Sequence, residues 1–215
     1  MLLVLLFAFI ASTSGARITY ILNGRDVTVP GKYPFIASLQ QNGGHICGAS
    51  LISSRWLICA AHCVQYGHSA YTILLGAHDI RTKKQGHPVR YTISRIISHP
   101  GFRYHGSFPN DMALIQLSTD VDLSNEFVDT IGLADENEKF VRSPCVLIGW
   151  GRLYPGGKNP NTLQEMSTFV KTDSWCKDFI GHDYHPSHLC TFNHGLGICD
   201  GDSGGNHKLV EQKWT

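Results

Sequence analysis

Apolar and polar positions alternate over short stretches along most of the chain, and turn residues punctuate them. Apolar-rich runs fall at Phe35 to Leu39, Ile46 to Ile52, Tyr71 to Leu75, Tyr91 to Ile97, Met112 to Leu117 and Cys145 to Ile148. Each is the length of a strand, and Gly, Pro, Asn, Asp or Ser separates it from the next, a spacing that predicts antiparallel strands arranged as barrels or sandwiches. No window carries a long 3.6-residue period, so no substantial helix is expected, and no internal repeat is visible. The expected class is therefore all-β.

The composition agrees. Hydrophobic residues make up 42% of the 215 positions and are interspersed with 22 glycines and 9 prolines, which suits a core of short strands in one large or two small domains. Charged residues are only 16% and the formal net charge is +1, so there is no electrostatic footprint for a nucleic acid or an anionic membrane surface. A small neutral or peptide partner is the more natural expectation.

Leu2 to Ala11 form an apolar run followed by the small Ser12, Thr13, Ser14, Gly15 and Ala16. This reads as a secretory signal at residues 1–16, too short to span a bilayer; a buried N-terminal strand is the alternative, because no basic residue precedes the run. The seven cysteines then imply disulfides, and their odd number leaves at least one thiol unpaired.

Three stretches carry candidate chemistry. In Gly201-Asp202-Ser203-Gly204-Gly205, glycines flank a serine and let the backbone turn its N–H groups toward a developing oxyanion. A glycine-rich turn that happens to contain a serine would look the same. Upstream, Cys47 and Cys63 bracket a segment ending in Ala60-Ala61-His62-Cys63. A bridge between them would close a loop of about fifteen residues, stabilise by roughly 3 kcal/mol and pin His62 beside a covalent anchor. A metal site from Cys59, His62 and Cys63 is the alternative, disfavoured by secretion and by the lack of a second matching cluster; Cys59 reads as a buried free thiol. Finally, Asn110-Asp111 precedes the run Met112 to Leu117, where the carboxylate can accept the ring N–H of His62 or serve only its own turn.

In that order, Ala60-Ala61-His62-Cys63, Asn110-Asp111-Met112-Ala113-Leu114, Gly149-Trp150-Gly151 and Gly201-Asp202-Ser203-Gly204-Gly205 resemble the trypsin and chymotrypsin family of serine proteases, over about Ile21 to Gly205. Gly149 to Met166 and Leu189 to Gly205 look most like insect chymotrypsin-like enzymes. The resemblance implies two antiparallel six-stranded barrels with the active site between them, the first at 21–128 and the second at 129–215. It implies His62 as general base, Asp111 as its orienting partner, Ser203 as nucleophile and the N–H groups of Gly201 and Ser203 as oxyanion hole. It also implies the pairs Cys47–Cys63 and Cys176–Cys190, leaving Cys145 and Cys199 without partners. A short activation peptide at 17–20 would be cut after Tyr20, freeing Ile21 to pair with Asp202. Gly197, six residues before Ser203, would form a specificity-pocket floor without a carboxylate, favouring Phe, Tyr or Leu before the cut bond.

The chain departs from the pattern in three ways. It stops at Thr215, where the family continues through further strands, so the second barrel is expected to be incomplete and the chain as it stands poorly folded and inactive. Asn206 stands in place of a proline, and Cys59 in place of a threonine or serine. The functional expectation is a secreted, extracellular, monomeric endopeptidase made as a zymogen, with protein or peptide substrates and protein protease inhibitors as partners. No cofactor, metal, nucleic acid or membrane is expected. An inactive secreted homologue and a secreted esterase are the alternatives. His182, His185 and His188 read as a solvated loop, the basic Arg81 to Gln85 loop offers calcium no oxygen ligands, and no N-glycosylation sequon occurs.

Overall fold

The computed structural model describes residues 24–82, 86–104, 107–135, 140–153, 157–192 and 207–209. Six strands close a barrel: β2 (Ile36–Gln41), β3 (Gly44–Ser53), β4 (Trp56–Cys59), β5 (Tyr71–Ala77), β6 (Gly86–Ser98) and β7 (Ala113–Leu117), in the order β2-β3-β4-β7-β6-β5 with every pair antiparallel. A second, five-stranded antiparallel sheet is formed by β1 (Arg25–Asp26), β8 (Pro144–Gly149), β9 (Gln164–Val170), β10 (Thr191–Phe192) and β11 (His207–Leu209). β8 pairs with β9 and β11, while β1 and β10 pair with β9 at its two ends. All six predicted runs are strands, with ends shifted by a few residues.

The first hairpin shows how local chemistry sets the register. Asn42 and Gly43 both take left-handed backbones (φ 51° and 79°) between the paired Gln41 and Gly44. A two-residue Asn-Gly loop of this kind matches the natural twist of the flanking strands.

The burial pattern explains why some runs alternate and others do not. In β7, Ala113, Ile115 and Leu117 are buried while Leu114 and Gln116 are partly open, the period of a strand with one wet face. β2 and β5 are buried on both faces. Ala37, Leu39, Ile73 and Leu75 point into the barrel, whereas Ile36 and Leu74 point outward into a second core with Val27, Tyr33, Phe35, Ile148, Trp150 and Leu163. That second core joins the barrel to the other sheet. The backbone stitches the same seam, Leu163 N–H donating to His78 O (2.9 Å) and Ile80 N–H to Asn161 O (2.9 Å).

Several elements were not expected: the short strands β1, β4, β10 and β11, whose two to four residues are too few to show an alternation, the helix α1 and the longer strand β9. The helix α1 (Asp173–Ile180) has only eight residues, too few to display a period. It is fixed instead by its ends: Thr172 Oγ1 accepts Trp175 N–H (3.1 Å), Gly181 closes it with φ 68°, and Cys176 is bridged to Cys190. β9 escaped the hydrophobic pattern because Gln164, Glu165 and Thr168 are buried polar residues within it.

Glu165 is the best-connected of these. Its carboxylate accepts from Arg25 Nε (3.0 Å), Lys32 Nζ (2.5 Å) and Tyr33 OH (2.5 Å), so a β9 side chain holds the N-terminal segment that leads into the barrel. Burial pushes the Glu165 carboxyl up, but the hydrogen bonds from Lys32 and Tyr33 and the charges of Lys32 and Arg25 together outweigh it and hold the group below its ordinary value. The contribution to stability is therefore complete above the ordinary glutamate range of about 4.3 and is lost as pH falls through the lowered folded value. Glu165→Gln, which imitates the protonated acid, should cost about 1–3 kcal/mol at neutral pH, the scale of hydrogen bonds to a charged group. Urea melts of the two proteins should converge at acid pH; an undiminished gap there would place the effect elsewhere.

Candidate active site

His62 and Asp111 stand 49 residues apart in sequence, and the barrel brings them together. β4 and β7 are antiparallel neighbours with Cys59 opposite Ala113, so the chain leaving β4 and the chain entering β7 emerge side by side at one end of the barrel. His62 lies in a single 3₁₀ turn, Ala61–Cys63, directly after β4, and the Cys47–Cys63 bridge ties that turn to β3. Asp111 sits just ahead of β7.

The carboxylate grips the histidine twice. Asp111 Oδ1 accepts the backbone N–H of His62 (2.8 Å), and Oδ2 lies 2.6 Å from His62 Nδ1. A carboxylate only accepts, so Nδ1 carries the proton and the other ring nitrogen, Nε2, keeps a lone pair. Side-chain exposures of 31% and 23% place the pair at a surface that a substrate can reach while limiting water around the carboxylate. Phe108 tilts against the imidazole at 5.8 Å between centroids, and Nε2 lies 3.5 Å from Cys63 Sγ. Such a pair can take a proton at Nε2 and stabilise the resulting imidazolium through Asp111.

The ligand atoms of Cys47, His62 and Cys63 lie within 4.8 Å of one another, yet this is a poor metal cage. The two sulfurs are joined in a disulfide and neither is a thiolate, while Nδ1 is committed to Asp111. Cys59 lies buried beside the pair with its S–H directed at Ala60 O (3.4 Å). Burial, together with the Asp111 charge, pushes its thiol up to about 12, and burial alone pushes Cys145 up to about 11. These two thiols are thus protonated and covered in the folded chain. Iodoacetamide should label Cys59 and Cys145 only in denaturant; rapid labelling of either in the native protein would contradict this burial.

The histidine loop is occupied with itself. His185 Nδ1 lies 2.8 Å from Ser187 Oγ, and His188 Nδ1 accepts the N–H of His185 (3.1 Å). His182 is exposed in the 3₁₀ turn Gly181–Asp183. Of the other sequence expectations, Tyr20, Ile21, Gly197, Cys199, Gly201, Asp202 and Ser203 lie outside the described residues.

One buried network had no flag in the sequence. Ser38 and Gln40 follow Ile36 on the outward face of β2, where alternation alone would put them in water. The second sheet covers that face, and both are buried. Gln40 Nε2–H donates to Ser38 Oγ (3.2 Å), Ser38 Oγ meets His45 Nδ1 (2.8 Å), and the His45 ring packs edge-on to Trp150 at 5.8 Å. Trp150 closes the seam by donating its indole N–H to His78 O (3.2 Å).

The chain is similar to known proteins in sequence and in fold. A sequence profile of the trypsin family matches residues 22–208. Mouse neutrophil elastase is 35% identical over 189 residues, covering 86% of this chain and 66% of that protein. Mouse ovochymase-2 is 34% identical over 196 residues, covering 86% of this chain but 32% of its own length. The chain thus spans about a third to two thirds of these relatives. The solved structure of neuropsin, a serine protease expressed in the limbic system of mouse brain, superposes with a TM-score of 0.78 at 28% identity, over 87% of this chain and 82% of that one. With the closed barrel, the His62–Asp111 pair and a profile match running across both sheets, the chain belongs to the trypsin family of serine proteases.

Proposed function

We propose that the protein is a secreted serine endopeptidase that cleaves peptide bonds by acyl transfer, and the observation that carries this reading is the double hold of Asp111 on His62. The tautomer fixed by Asp111 leaves Nε2 able to accept a proton. Ser203 Oγ attacks the peptide carbonyl carbon as His62 Nε2 takes the hydroxyl proton. The carbonyl oxygen becomes an oxyanion held by the N–H groups of Gly201 and Ser203. Collapse expels the amine, which receives the proton from His62, and leaves an ester on Ser203. Water, deprotonated by the same nitrogen, then releases the acid.

Specificity rests on Gly197. A pocket floor without a carboxylate leaves a lysine or arginine side chain buried and unpaired, at a cost of several kcal/mol. Burying an aromatic or leucine side chain instead gains about 1.5–3 kcal/mol. Phe, Tyr or Leu therefore precedes the cut bond. Activation follows cleavage after Tyr20, when the Ile21 ammonium pairs with Asp202 and orders the loop bearing the Gly201 donor. A peptide-library digest is the direct test: cuts after Phe, Tyr and Leu support the assignment, and cuts dominated by Arg and Lys reject it.

A further inference from the structure

The residue ahead of Asp111 carries more contacts than a turn asparagine needs. Asn110 has a left-handed backbone (φ 54°), and its carbonyl accepts the N–H of Met112 (2.7 Å), so the turn closes around Asp111. Its side-chain amide donates to Gly101 O (3.1 Å). A Cβ at Gly101 would come within 2.8 Å of that amide nitrogen, so a larger residue there would displace the Asn110 side chain. Phe108, the residue that tilts against His62, is also left-handed (φ 52°) although it precedes a proline. Two such non-glycine residues within three positions mark a backbone that its surroundings must hold in place.

Part of that hold comes from the other half of the molecule. The backbone N–H of Asn110 donates to Ser187 Oγ (2.9 Å), in the loop that links α1 to β10. Ser187 N–H donates to His185 Nδ1 (3.2 Å), which makes that nitrogen an acceptor. The Ser187 hydroxyl, 2.8 Å from the same nitrogen, therefore also donates to it and keeps its lone pairs for Asn110. The loop is braced by the Cys176–Cys190 bridge and by the bond from His185 N–H to His188 Nδ1. A braced loop on the second sheet thus fixes the peptide unit entering Asn110, one residue from the carboxylate that orients His62.

We propose that Ser187 is a positioning residue for the Asp111–His62 pair, holding the Asp111 turn in register from across the molecule through Asn110. This rests on the pair being catalytic. Small misplacements of a catalytic group cost rate while leaving substrate binding intact.

Ser187→Ala removes one exposed hydroxyl and leaves the core untouched. It should lower kcat about three- to tenfold with KM unchanged. The downfield proton resonance of the short Nδ1–H···Oδ2 bond in His62 and Asp111 should also move upfield, and Ser187→Thr, which keeps a hydroxyl, should restore both. An unmoved resonance overturns the proposal whether or not kcat falls, because the effect then bypasses the pair. The resonance is read without substrate, so the two readings separate. A protein with no peptidase activity whose resonance still moves retires the functional reading alone; an active protein whose resonance stays put retires the role of Ser187 alone.

Discussion

In a chain completed through the family's further strands, Asp111→Asn is expected to lower kcat/KM on a peptide substrate by about four orders of magnitude while leaving the fold intact, the scale set by the template serine triad when its aspartate becomes asparagine. The geometry shows why a near-isosteric change would cost so much here. Asp111 receives two N–H groups, one from the His62 backbone and one from His62 Nδ1. Asparagine has one oxygen and one NH₂. The backbone N–H cannot change its character, so the oxygen turns to it and the NH₂ faces Nδ1. The imidazole must then accept at Nδ1 and carry its proton on Nε2, where the lone pair is needed. Nitrogen chemical shifts of His62 should report that inversion directly. His62→Ala and Ser203→Ala should each be at least as damaging, and combining them should add little, because groups acting as one unit do not contribute additively. Near-normal turnover with an inverted tautomer would break the link between this pair and the chemistry.

Trp150→Ala should be the most damaging single change to stability, at about 3–5 kcal/mol. Trp150 is fully buried (0% exposed) in the core that joins the barrel to the second sheet, and it is the largest side chain there. Its removal opens a cavity between Ile148, Leu163 and the outward face of β2 and β5, and takes one donor from the His78 carbonyl. At about 2–4 °C per kcal/mol for a chain of this size, Tm should fall by roughly 6–20 °C. Trp150→Phe keeps most of the apolar volume and loses the indole N–H, and should cost far less. Urea unfolding of the alanine variant should show the barrel and the second sheet separating into distinct transitions. A single transition at the wild-type midpoint would mean that the seam contributes little.

The two predictions draw on features that were unequally visible in the sequence. All six expected strand runs are strands, because each buries at least one face and so leaves an apolar trace. The runs of β2 and β5 are nearly continuous for a reason that a sequence cannot supply: Leu74 and Ile36 meet the second core while Ile73 and Leu75 meet the first. β9 left a weak trace because Gln164 and Glu165 are buried by satisfying partners rather than by being apolar. α1 left none, since two turns carry no period and its anchors, Thr172 and the Cys176 bridge, are local. Of the site, His62 and Asp111 were legible by motif, and the pairing of β4 with β7 supplies the physical reason they meet. The bond from Asn110 to Ser187 was not legible, because a long-range bond from a backbone N–H to an ordinary surface serine has no residue signature.

The central claim is that His62 and Asp111 serve a nucleophile at Ser203, and covalent capture tests it most directly. A chain completed through the family's further strands and cleaved to begin at Ile21 would be treated with a fluorophosphonate and its peptides mapped by mass spectrometry, alongside His62→Ala at matched folding by circular dichroism. The expected result is a single stoichiometric adduct on Ser203 that forms rapidly in the wild type and is nearly absent in His62→Ala. A folded wild-type protein that forms no adduct, or forms one at Ser203 just as fast without His62, would contradict the account.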